Sequence, residues 1–172
     1  MKKNKNNNSY ETMLYNKILV LSRNKLFYKD FNVADTFQNR IYLIFIHFSF
    51  ILNITKKQNR LDFKDFYQRI FDLVFNKIEL NMREIGYGDT VINKNMKFLV
   101  KIFYNILLDF KSYRKKTMDQ KNTDLIKYLK YDKSEKATIN NNLIDYFDKY
   151  EAFCFDLKSD SVLKGELNFN YK

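Results

Sequence analysis

Phe63–Met82 reads FKDFYQRIFDLVFNKIELNM. Its members Phe63, Phe66, Tyr67, Ile70, Phe71, Val74, Phe75, Ile78 and Met82 recur at spacings of three and four, which lay one wide aromatic stripe along an α-helix. Lys64, Asp65, Arg69, Asp72 and Lys77 fall on the other side and are expected to face solvent. A strand would alternate every second residue, and this segment does not. The same helical spacing returns in Met96, Leu99, Val100, Phe103, Ile106, Leu107 and Phe110, with Lys94, Lys97 and Lys101 opposite. With no proline in the chain and only 3 glycines, tight hairpins have little to turn on. The expected fold is all-α: a single-domain bundle of about six helices around an aromatic-rich core.

Upstream, Arg40–Ile54 reads RIYLIFIHFSFILNI. Its apolar run of about 14 residues, with His47 inside it, is short of the roughly 20 needed to span the hydrocarbon core, so a buried central helix is predicted from Thr36 to about Ile54. Asp35 is its expected N-cap, with Gln38 as capping-box partner. Ser9 is expected to cap a first helix that ends near Ser22 to Asn24. In the link between them, Phe27, Tyr28, Phe31 and Val33 are too apolar for a plain loop and are expected to pack on the bundle. Downstream, Lys111–Asn122 reads as a charged linker. Thr123 or Asp124 is expected to cap a short helix, and Ile139–Leu157 forms a longer one through Leu143, Tyr146, Phe147, Tyr150 and Phe153. Residues 1–8 read as a disordered basic tail, 9–157 as the helical domain and 158–172 as a frayed tail.

Leu80–Lys97, LNMREIGYGDTVINKNMK, joins the two striped helices and holds Gly86 and Gly88. Gly86 falls where the stripe stops, the position at which helices commonly end on a left-handed residue. Gly88 then loosens the turn, and Asp89 or Thr90 is placed to accept amide hydrogens of the next helix. A phosphate loop would need GxGxxG after a strand or GxxxxGK[ST], and neither spacing is present. Arg83 and Glu84 crowd the helix end, where a surface ion pair contributes about 0–1 kcal/mol, too little to require these residue types. Arg83, Glu84, Asp89, Lys94 and Lys97 are therefore either a solvated face or a patch for protein or RNA.

At 172 residues, 45% hydrophobic and 17% aromatic, the chain can build one real core. A net charge of +11 and pI near 9.5 favour anionic partners. Cys154 and His47 are each the lone member of their type, which excludes an intrachain disulfide and a Cys/His zinc quartet, and fits a reducing compartment. The start, MKKNKNNNSY, has lysines but no apolar signal core. No serine-nucleophile motif and no helically spaced histidine–carboxylate set occurs, so no catalytic, cofactor or metal residues are assigned. His47, inside so apolar a helix, is expected to be a hydrogen-bonded core residue.

Three blocks then carry a resemblance. Leu14–Leu52 holds an early helix, an aromatic link, the Asp35–Thr36 pair, a helix-borne Arg40 and His47. Phe66–Leu108 holds Phe71–Asp72, REIGYGD, and Lys94, Met96 and Lys97. Thr123–Tyr131 and Asn141–Tyr150 form a weaker third block. In this order they resemble the ubiquinol-cytochrome c chaperone family over about Leu14 to Phe155, although Ala34 stands where the family often has proline. The resemblance implies that Asp35, Thr36, Arg40, His47, Asp72, Arg83, Glu84, Gly86, Gly88, Asp89, Lys94 and Lys97 shape a binding surface, not a catalytic site. It also implies an assembly chaperone for the cytochrome bc complex that binds newly made cytochrome b, near the ribosome and with a small partner protein. No cofactor and no DNA are expected. The expected location is the bacterial cytoplasm, with peripheral contact to the anionic inner membrane. The alternative is a basic helical protein that binds RNA or the ribosome surface through Lys94, Lys97 and Lys101; a third reading, a small-molecule enzyme, would need a site around His47 and Asp72. Because aromatic side chains exceed what a core of this length calls for, an open groove of Phe, Tyr and Met is expected near the hinge and the Asp35–Thr36 turn.

Overall fold

One helix, α3 (Phe37–Lys56), is buried around its whole circumference from Ile41 to Leu52. A helix that is apolar on every side must be enclosed, and the rest of the chain is arranged to do so. The computed structural model describes residues 9–56, 61–132 and 140–171; the expected basic tail at 1–8 lies outside them. Around α3 pack α1 (Tyr10–Ser22), α4 (Leu61–Ile85), α5 (Asp89–Asp109), a 3-10 segment (Phe110–Lys115) and α7 (Asn141–Asp156), while the short α2 (Lys25–Lys29) lies in the aromatic link. The expected all-α bundle is found: among the described residues the one departure is an isolated antiparallel bridge between Val33 and Tyr131.

The stripes of α4 and α5 face inward as predicted. Phe63, Phe66, Ile70, Val74, Ile78 and Met82 are buried, and in α5 so are Leu99, Phe103 and Ile106. Rings interlock edge to face where the helices meet α3, as in Phe45 against Phe103 at 5.1 Å between centroids and Phe50 against Tyr113 at 5.1 Å; such pairs add about 0.5–1.5 kcal/mol beyond area burial. In the link, Phe27, Phe31 and Val33 are buried and Tyr28 is half-buried.

Several local expectations give way to other partners. Ser9 caps α1, its side chain accepting the Thr12 amide. Asp35, however, does not cap α3: Thr36 Oγ1 accepts the Asn39 amide at 3.2 Å, because Asp35 is drawn into a two-pronged ion pair with Arg40, 2.7 Å to Nε and 2.9 Å to Nη2. Gln38, instead of closing a capping box, donates to the Tyr42 hydroxyl at 2.8 Å. The segment from Lys111 is no plain linker. Tyr113 is buried within it, and α6 (Met118–Tyr128) starts earlier than expected, with a full capping box between Thr117 and Gln120. Thr123 instead bonds back to the Asp119 carbonyl at 2.8 Å, and Asp124 pairs with Lys116. The C-terminal stretch expected to fray forms α8 (Ser159–Leu163) and returns over α1, with Val162 and Leu167 buried. Gly165, at φ +71°, sits so close to α1 that a Cβ there would lie 2.5 Å from the Tyr10 carbonyl oxygen. Only glycine fits both demands.

His47 lies at the centre and is fully buried. Its Nδ1 lies 2.6 Å from the Leu43 carbonyl, which can only accept, so Nδ1 carries the proton; Nε2 then accepts from the Tyr146 hydroxyl at 2.8 Å. Burial outweighs the Leu43 hydrogen bond and lowers the imidazole pKa to about 4. Below pH 6.5 the unfolded chain therefore takes up a proton that the folded chain refuses until about pH 4. Stability is full above 6.5 and falls as pH drops through this window. In urea titrations between pH 7 and 5, the midpoint should decline for the wild-type chain, and His47→Gln, which lacks the titrating ring, should remove most of that slope. An equal slope in the variant would contradict the assignment.

Candidate functional site

The hinge between α4 and α5 closes with a left-handed glycine. Gly86 has φ +97°, its amide reaches the Arg83 carbonyl at 3.0 Å, and the next amide, of Tyr87, reaches back to the Met82 carbonyl at 3.1 Å. That pair of bonds is the Schellman closure, which satisfies two carbonyls left over at a helix end. Gly88 behaves differently. Its φ of −74° and ψ of 155° are open to any residue, and it occupies the N-cap of α5 with no side chain to offer. Asp89 and Thr90 are thus not caps; they begin the helix, and Asp89 turns back to Arg83.

Arg83 is pinned between Glu79, at 2.9 Å from Nη2, and Asp89. Both bonds favour its charged form, and the second ties the end of α4 to the start of α5 across the turn. Glu84 does not pair with it, since neighbours in sequence point to different sides of a helix. Glu84 lines instead a groove of about 190 Å³ where the end of α1, the start of α3 and the end of α4 diverge. Leu19, Ile41, Ile44, Ile78 and Ile85 supply its apolar wall, with Tyr15 and Phe37. Arg23 and Arg40 stand with Glu84 among its lining residues, and Asp35, held below the usual carboxylate range by its hydrogen bonds to Arg40, neutralises that guanidinium from outside.

A groove near the hinge and the Asp35–Thr36 turn is thus present, but its wall is aliphatic more than aromatic and holds no Met. The aromatic surplus went elsewhere, into the core: Phe27, Phe45, Phe48, Phe50, Phe66, Phe110 and Phe147 are among the largest fully buried side chains. Of the residues singled out in the sequence, Arg40 and Glu84 line the groove, Asp35 and Thr36 flank its α3 end, and Arg83, Gly86, Gly88 and Asp89 build the turn that follows its α4 wall. Lys94 and Lys97 lie apart on the exposed face of α5, and Asp72 is exposed on α4, bonded to Gln68 at 2.8 Å. His47 is in the core and cannot touch a partner. That placement also separates it from Asp72, so the two do not form a site. Arg23 and Leu19 were not singled out, because nothing in the spacing of a single helix shows that its last turn will border the end of another.

These features define a class: an all-α protein with a sealed aromatic core and a small apolar groove rimmed by charge where three helices part. The chain belongs to the ubiquinol-cytochrome c chaperone family, whose pattern matches residues 29–169, starting after the Leu14 expected from the sequence blocks and reaching beyond Phe155. Its fold is similar to the crystal structure of the Cbp3 homolog from Brucella abortus, with a TM-score of 0.77 at 21% identity, over 94% of this chain and 89% of that one. No curated protein matches the chain.

The two hinge glycines should respond differently to substitution. Gly86→Val forces a β-branched residue to positive φ and is expected to cost about 1 kcal/mol or more, whereas Gly88→Ala, in ordinary backbone with nothing within 4 Å of the new Cβ, should stay within about 0.5 kcal/mol. Urea unfolding followed by circular dichroism measures both. Equal midpoints for the two variants would remove the left-handed closure from the account.

Proposed function

We propose that this chain is an assembly chaperone for the ubiquinol-cytochrome c reductase complex, and that it holds a segment of newly made cytochrome b in the groove between α1, α3 and α4. The observation that carries the reading is the convergence of family-matching positions on one place: Arg40 from one sequence block and Glu84 from another meet at the same apolar groove. The protein acts by binding and releasing, without catalysis or cofactor. A small groove with both charge signs at its edge suits a short apolar stretch of chain with a polar flank, and Ile85, 60% exposed at its end, offers contact area at no cost to the core. The reading places the protein in the bacterial cytoplasm, close to ribosomes that make the membrane subunit. A small partner protein would share this neighbourhood.

The test is site-specific crosslinking in cells from Leu19 and Ile85, with cytochrome b expected as the adduct from both positions and not from Asp72. Ile85→Asp should leave stability within about 0.5 kcal/mol, as exposed changes usually do, while lowering recovery of cytochrome b and the b-type haem signal of the membranes. Adducts dominated by ribosomal components would favour the RNA-surface alternative instead. A normal level of assembled cytochrome bc complex in a deletion strain would defeat the chaperone reading altogether.

A further inference from the structure

The outer face of α5 has no role in the groove and is built to a different pattern. From Thr90 to Leu108 the sequence carries Lys94, Lys97 and Lys101 and no carboxylate. All of these lysines are exposed, and none has an ion-pair partner among the described residues. The contrast with α4 is direct. There Asp65, Asp72, Glu79 and Glu84 are interspersed with Lys64, Arg69, Lys77 and Arg83, so its exposed face is mixed in sign.

Between and beyond the α5 lysines, at helical spacing, stand large apolar side chains that the core leaves outside: Phe98 is 52% exposed, Tyr104 46% and Leu108 70%. The spacing of three and four puts them on one side of the helix with Lys94, Lys97 and Lys101. At the C-terminal end of this face a second groove opens, of about 440 Å³, where Tyr67, Tyr104, Leu107 and Leu108 meet Lys64 and Lys111. It is again apolar with ammonium groups beside it.

We propose that this face of α5 docks on the surface of an anionic phospholipid bilayer. Phe98, Tyr104 and Leu108 enter the boundary between headgroups and acyl chains, while the lysine stems lie along the apolar surface and their ammoniums reach the phosphates. The groove by Leu108 can then take part of an acyl chain, with Lys64 and Lys111 beside its headgroup. Charge complementarity selects the partner: the lysines gain nothing from a neutral bilayer, where only the weaker apolar contacts would remain. The choice of residues argues for lipid over RNA. Base stacking uses aromatic rings, which Leu108, the most exposed of the three, cannot provide, and the face has no arginine, the side chain best suited to phosphate forks and stacking. The face shares no residue with the groove assigned to cytochrome b, so the two readings stand or fall separately.

Flotation of the full chain with vesicles tests the proposal. At about 0.1 M salt, where screening is modest, the protein should float with vesicles containing phosphatidylglycerol and stay behind with pure phosphatidylcholine. Lys97→Gln with Lys101→Gln should weaken partitioning about 25-fold, at about fivefold for each lysine. Phe98→Ser with Leu108→Ser should weaken it about tenfold or more with the charge unchanged, and circular dichroism should show both variants folded, since the positions are exposed. Failure to float with anionic vesicles, or flotation that survives the Phe98 and Leu108 changes, would overturn the docking face. Tight binding to homopolymeric RNA that those two changes leave intact, with no vesicle binding, would overturn it in favour of a nucleic-acid surface. Each result can be read whether or not cytochrome b is the client.

Discussion

Everything in this structure follows from the need to enclose α3. A helix that is apolar on all sides has no face to give to water, so it must be met by α1, α4, α5, α7 and the 3-10 segment at once. Polar groups carried inward with it must then be satisfied locally. Ser49 and Thr55 donate to carbonyls a turn back in their own helix, at 2.7 and 2.6 Å. His47 reaches across to Tyr146 of α7. Asn39 holds the helix entrance, its amide nitrogen donating to the Ala34 and Lys130 carbonyls at 2.7 and 2.8 Å, which fastens two segments far apart in the chain. An unmet group in this position would cost about 1–3 kcal/mol, and that penalty explains why the fully buried stretch from Ile41 to Leu52 holds, beside the Tyr42 hydroxyl, only His47 and Ser49 as polar side chains.

The groove is a by-product of the same enclosure. Helices of different lengths cannot cover α3 evenly at its ends, and α1 stops at Ser22 while α3 begins only at Phe37. Where α4 also ends, at Ile85, the three diverge and leave apolar wall uncovered. The Gly86 closure and the Arg83–Asp89 pair fix the turn that follows the α4 wall of the groove. Residues placed at helix ends in this way can change without disturbing the core.

Charge is distributed by helix as well as by overall excess. The net charge of +11 is not spread evenly: α4 mixes acids with bases, Lys116 after the 3-10 segment and Lys121 and Lys127 of α6 pair with Asp124, Asp148 and Asp109, and α5 leaves its lysines unmatched among the described residues. Paired cations organise the fold, as where Lys121 also lies 5.0 Å from the centroid of the buried Tyr113 ring. Unmatched ones remain available for other anions. The apolar residues beside them on α5 cannot be explained by the core, which is complete without them.

From sequence alone, periodicity identified the helices of the stripes, the buried character of Arg40–Ile54 and the left-handed role of Gly86, because each depends on residues within a few turns of one another. The likeness of the REIGYGD and Asp35–Thr36 blocks to one family was equally local and equally readable. Caps were read less well: Asp35 and Asp89 have the chemistry of a cap, yet each is taken by an arginine five or six residues away, and spacing alone does not say which of the competing partners wins. The return of residues 158–171 over α1 has no periodic signal, since it depends on Gly165 meeting Tyr10 from the other end of the chain. Likewise the meeting of Arg40 with Glu84, and the exile of Phe98 and Leu108 to the outside, were decided by tertiary structure. A stripe shows that a helix has an inside; which ends will part, and which apolar residues the core will leave out, depends on how helices of unequal length close around a common centre.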